Sequence, residues 1–110
     1  MKKIVKYNKL IRDKIPEIIK NAGWIPVIKT LNKEQYLKAL KKKVLEEAEE
    51  LIGAKNKKDI INEIVDVQEI LDALITGMRL TKADIKKHQK EKNQKRGAFK
   101  KRLFLIREEK

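Results

Sequence analysis

Residues 57–78 place apolar side chains around more than half of a helix's circumference, and this constrains the architecture more than any other stretch. At 100° per residue, Ile60, Ile61, Ile64, Val65, Val67, Ile70, Leu71, Leu74, Ile75 and Met78 form an arc too wide for one neighbouring helix. Such a helix must be covered on two sides. Glu63 falls inside the arc and Asp66 at its edge. Burying a lone carboxylate costs on the order of several kcal/mol. The helix therefore demands a second apolar cover and a partner for Glu63.

Local signals place the rest of the chain around it. Pro16 suits the first turn of a short helix that Asn21 and Gly23 close. Asn32 resembles an N-cap with Gln35 three residues on, and Leu37, Leu40, Val44, Ala48 and Leu51 then hold one stripe to about Ala54. Asn56 with Asp59 and Thr81 with Asp84 repeat the capping pattern. They predict a third helix from about Lys57 to Met78, closed at Gly77, and a fourth from Lys82 to about Arg96, ended by Gly97. Only Ala83 and Ile85 are apolar in that fourth stretch, which predicts a mobile cover rather than a core element. Trp24–Ile28 reads as extended, and Leu103–Ile106 is a strand-type run able to pair with Pro26–Thr30 as a small β-element. The short Ala54–Asn56 connection makes the second and third helices antiparallel neighbours. The expectation is one all-α domain over residues 1–110, with antiparallel helices in a four-helix core that a homodimer, or a higher homo-oligomer, completes.

Charge is distributed just as unevenly. The formal net charge is +13, yet residues 45–81 carry 4 Lys/Arg against 9 Asp/Glu. Residues 1–44 carry 13 against 3, and residues 82–110 carry 12 against 4. A concentration of negative charge inside a basic protein is unfavourable unless a cation neutralises it. In projection Glu47 and Glu50 lie together on one flank of the second helix's apolar stripe, with Glu46 just beyond and Glu49 opposite. Glu47/Glu50 and Glu63/Asp66 are two i,i+3 pairs at similar distances from the connecting turn, so their flanks can converge. Oxygen ligands so arranged suit a hard divalent cation. The plainer alternative is a solvated acidic face pairing with Lys42, Lys43 and Lys55.

Composition excludes other chemistry. With no cysteine there are neither disulfides nor thiolate ligands, and the one histidine, His88, sits among polar residues. Lys6, Lys9, Arg12 and Asp13 interrupt any apolar signal segment after MKKIV, and no run is long enough to span a bilayer. The expected location is cytoplasmic, with no membrane partner. The basic surplus implies an anionic partner: nucleic acid, free nucleotide or an acidic surface. A helical nucleic-acid-binding module is the principal rival to an enzyme, although the acidic band would repel phosphate. A regulatory dimer without catalysis is a third possibility. Trp24 and Tyr36 read as packing residues, His88 and Glu69 as surface, and Asp72 projects unexpectedly between Ile61 and Val65.

LEEAEEL followed by NEIVD resembles the E-E-x-x-E, spacer, E-x-x-D pattern of the all-α, MazG-like nucleotide pyrophosphohydrolases. Glu46, Glu47 and Glu50 match its first part and Glu63 and Asp66 its second, with twelve residues between. YNKLIRDKIPEII near the start is similar to the opening of the phosphoribosyl-ATP pyrophosphohydrolase-like subgroup, and RGAFKKRLFLIRE to its closing segment. The resemblance implies a MazG-like core and hydrolysis of a nucleoside triphosphate between its α- and β-phosphates. It implies Mg²⁺, with Mn²⁺ as a possible substitute, held by Glu47, Glu50, Glu63 and Asp66, and Glu46 either a ligand or the group orienting the attacking water. Lys9, Arg12, Lys14, Lys95, Arg96, Lys101 and Arg102 are then candidates for the triphosphate, Arg12 and Arg96 foremost because a guanidinium can grip phosphate bidentately. Phosphoribosyl-ATP and noncanonical or surplus (d)NTPs both fit as substrates.

Overall fold

The computed structural model describes residues 2–110, which form four helices: α1 (Ile15–Asn21), α2 (Lys33–Gly53), α3 (Lys57–Gly77) and α4 (Lys82–Arg96). By internal contacts the chain divides into two compact units, Met1–Arg79 and Leu80–Lys110. Among the described residues no helix is long and apolar enough to cross a membrane.

Helices α2, α3 and α4 start where their capping side chains dictate. The Asn32 side chain accepts from the Gln35 amide at 2.9 Å, and Gln35 Oε1 accepts in return from the Asn32 amide at 3.2 Å. Thr81 and Asp84 make the same reciprocal pair at the start of α4. At α3 the exchange is half complete: Asn56 Oδ1 accepts from the Asp59 amide, while Asp59 takes the Asn56 side-chain amide instead of its backbone N–H. In α1, Pro16 occupies the first turn. There the Gly23 amide donates to Lys20 and that of Trp24 to Ile19, the paired bonds of a Schellman motif. Gly23 supplies the positive φ of 86° that this motif needs.

In the first unit α2 and α3 form a helical hairpin across residues 54–56. A Cβ added to Gly77, the last residue of α3, would lie 2.9 Å from Leu37 Cδ2 and 3.7 Å from Tyr36 Cε2 in the first turns of α2. The end of α3 thus lies beside the start of α2, and α3 runs back along it. Leu40 on α2 and Ile70 on α3 are the most deeply buried, at 3% and 8% exposure. Ile61, Ile64, Val65 and Leu71, on the other side of α3 in projection, stay 53%, 51%, 54% and 40% exposed.

Gly77 does not close α3 through a left-handed turn, as its place in the sequence suggests. Its missing side chain admits Leu37, and the left-handed residue is Arg79, at φ 58°. That conformation costs an L-residue on the order of 1 kcal/mol. Arg79→Gly should raise the melting temperature of the first unit and Arg79→Val should lower it, each by an amount corresponding to about 1 kcal/mol or less.

The expected small β-element is not formed: among the described residues there is no strand or bridge, and Pro26–Thr30 and Leu103–Ile106 are both without regular secondary structure. A two-stranded ribbon of four or five residues is marginal in water, and Pro26 lacks the N–H that a ladder requires. Neither run has an apolar face covered: Val27 is 95% exposed and Phe104 89%. High β-propensity without a surface to pack on makes no sheet.

Candidate metal centre

The hairpin sets the last turns of α2 against the first turns of α3, and acidic residues meet there. Glu47, Glu50 and Glu63 each present an oxygen such that all three lie within 4.8 Å of one another. Glu47 and Glu63 are half-buried and Glu50 is exposed, so the group opens to solvent on one side. Glu47 Oε2 and Glu63 Oε2 are shut off from water and have no hydrogen-bond partner. An unsatisfied buried carboxylate oxygen is costly, and two in one place can be relieved by a proton shared between the carboxyls or by a cation.

Lys43 answers part of that demand. Its Nζ lies 3.4 Å from Glu46 Oε2 and 4.0 Å from Glu47 Oε1, one helical turn earlier on α2. This is the solvated-face pairing foreseen from the spacing, but it leaves the inward oxygens unmatched. The Glu47 carboxyl is consequently held above its ordinary value of 4.5, first by burial, then by the charge of Glu50, the approach of the Glu63 carboxyl and the charge of Asp66; Lys43 opposes them. Two like charges at the 4.8 Å limit repel by about 3 kcal/mol at an effective dielectric constant near 20.

The shift fixes a pH dependence. Because the folded state holds the Glu47 proton more tightly than the unfolded chain, ionising Glu47 costs stability. That cost is absent below the ordinary value of 4.5 and grows as pH rises from there through the raised folded value. A divalent ion competes with the proton for the same oxygens. In thermal melts the ion-free protein should lose stability as pH climbs above 4.5, and the increment given by millimolar Mg²⁺ should grow over the same interval. A Mg²⁺ increment independent of pH would exclude these carboxylates as its source.

The other acidic candidates are placed differently. Asp66 is near enough to act on Glu47, but its Oδ1 takes the Arg12 guanidinium at 2.7 Å. Glu46 is engaged by Lys43 and lies outside the three-carboxylate group. Asp72, half-buried, accepts from the Gln68 side chain at 2.9 Å. Of the basic candidates, the structure brings Arg12 to the acidic residues. Lys9 lies over the Tyr7 ring, 5.4 Å from its centroid, and Lys14 is the exposed N-cap of α1. Lys95 and Arg96 end α4, and Lys101 and Arg102 follow in the second unit. His88 is 78% exposed, with Glu91 at 3.9 Å, and Trp24 is 47% exposed. The Arg12–Asp66 pair spans 54 residues of sequence, and no spacing rule announces it.

No family model matches the chain, and no solved structure matches it. A stretch of 45 residues is 49% identical to an uncharacterized protein of Mycolicibacterium smegmatis (strain ATCC 700084 / mc(2)155). The match covers 41% of this chain and 46% of that protein, less than half of either.

Proposed function

We propose that this chain is a Mg²⁺-dependent nucleoside triphosphate pyrophosphohydrolase of the MazG-like kind. The observation that supports the reading is the convergence of Glu47, Glu50 and Glu63, two of whose oxygens are buried without partners. Helix packing alone does not require three carboxylates gathered on one flank in a chain of net charge +13. Their hard oxygen donors fit Mg²⁺ or Mn²⁺.

In this reading Glu47, Glu50 and Glu63 hold the ion and Asp66 completes the set. When bound, the ion neutralises phosphate charge and lowers the pKa of a coordinated water. Glu46, held by Lys43 at the edge of the group, orients the water that is consumed across the α–β anhydride. Arg12, beside the acidic group, grips the triphosphate as a planar double donor, with Lys9 and Lys14 adding positive charge along the same segment. Nucleoside monophosphate and pyrophosphate leave. The exposed face of α3 packs against a second copy, and the two hairpins make an antiparallel four-helix core.

Pyrophosphate release from a panel of canonical and modified nucleoside triphosphates and phosphoribosyl-ATP, with and without Mg²⁺, tests the assignment. Mg²⁺-dependent release from at least one of them is expected. Salt-dependent binding of DNA or RNA with no release from any member would replace the enzyme with the nucleic-acid module.

A further inference from the structure

We propose that Arg12 is an ion-released latch: in the ion-free protein it occupies Asp66, and metal loading frees it for the triphosphate. The inference rests on the reading of Glu47, Glu50, Glu63 and Asp66 as the ion's ligands, and goes beyond it by coupling ion binding to the N-terminal segment.

Three observations carry it. Arg12 Nη2 lies 2.7 Å from Asp66 Oδ1, a full charge-assisted hydrogen bond, so one oxygen of the fourth acidic side chain is already taken. The three-carboxylate group forms without Asp66, although Asp66 acts electrostatically on Glu47 within it. The segment before α1 has no regular secondary structure, and Asn8 within it turns through a positive φ of 48°. The Arg12 carbonyl accepts from the Ile15 amide at 3.1 Å, which ties its backbone to the start of α1, so a change of partner falls to the long, exposed side chain alone and leaves the hairpin undisturbed.

Magnitudes favour displacement. The Arg12 side chain is 55% exposed and that of Asp66 30%, so this is a pair of the weak, solvated kind. A divalent ion bonded to several carboxylates outcompetes such a pair easily. Linkage makes the effect reciprocal: whatever factor the Arg12–Asp66 pair takes from ion affinity, the ion takes from the pair. A freed guanidinium next to a loaded ion faces a cation and needs an anion. A triphosphate is the anion the site is read to bind, so the fold offers Arg12 to substrate only once the ion is in place.

The test uses the full chain. Calorimetry with Mg²⁺ should show tighter binding to Arg12→Gln than to the wild type, by about two- to fivefold, the range such an exposed pair supports. Removing any nearby positive charge pushes in the same direction, so a second readout is needed. Proton exchange at the Arg12 guanidinium, followed by side-chain NMR, should quicken when Mg²⁺ saturates the wild type. It should slow again when an α,β-methylene nucleoside triphosphate is added. Exchange that ignores Mg²⁺ while the wild type binds the ion and releases pyrophosphate would overturn the latch alone. A wild type that takes up no Mg²⁺ would overturn both the latch and the metal assignment.

Discussion

Glu47→Gln should melt higher than the wild type in the absence of divalent ions, lose its response to Mg²⁺, and lose pyrophosphate release by at least about a hundredfold. The gain and the loss have one cause. Glu47 is an enclosed carboxylate with a raised pKa, a side chain 12% exposed and an inward oxygen without a hydrogen-bond partner. An amide of the same shape removes the charge facing Glu50 and Asp66 and gives Glu63 a donor. Above pH 4.5 that relief favours the folded variant over the folded wild type. The same substitution takes one negative charge from the proposed ligand set, in which Glu46 is engaged by Lys43 and Asp66 by Arg12. Glu50→Gln should abolish turnover with a smaller stability gain, because Glu50 faces solvent. A Glu47→Gln protein that melts lower, or that keeps its activity, would show that the cluster is held for packing rather than for an ion. Stability stored as repulsion and released by a neutral substitution is the mark of a site shaped for binding.

Ile61→Lys and Val65→Lys should convert a dimer in sedimentation into single chains, and should make melting of the remaining protein independent of concentration. Both side chains are about half exposed in the single chain, at 53% and 54%, where a surface lysine changes stability by only about 0.5 kcal/mol. If a second copy covers this face, the same lysine is buried without a partner twice over, once for each protomer of a symmetric pair. The two cases therefore separate by several kcal/mol in association. Among the described residues only Leu40 and Ile70 are buried within the single chain, a small core for 110 residues. Wild-type protein that sediments as single chains at all concentrations would remove the second copy from the proposal.

The helices were legible because their boundaries are written locally. Asn32 and Gln35, Asn56 and Asp59, and Thr81 and Asp84 each meet within three residues, and Gly23 answers to one turn of backbone. The meeting of Glu47 and Glu50 with Glu63 was legible for a similar reason: two amphipathic helices on a short loop leave few ways to close. What the sequence hid was non-local. Arg12 stood out as a guanidinium suited to phosphate, but its partner lies 54 residues away on a face that no pattern in residues 1–14 specifies. Gly77 does end α3, but the reason for a glycine there, the space taken by Leu37 forty residues earlier, is not written locally. The strand reading failed for the complementary reason: Val27, Ile28 and Leu103–Ile106 have the propensity, and propensity takes effect only where a surface receives it.

The short link between α2 and α3 has a kinetic consequence. Glu47 and Glu63 are separated by sixteen residues, so bringing them together closes one of the smallest loops that can join two helices. Hairpins with such local contacts form early and fast. The acidic group should therefore assemble early, and amide exchange during refolding should protect α2 and α3 before the segments at either end.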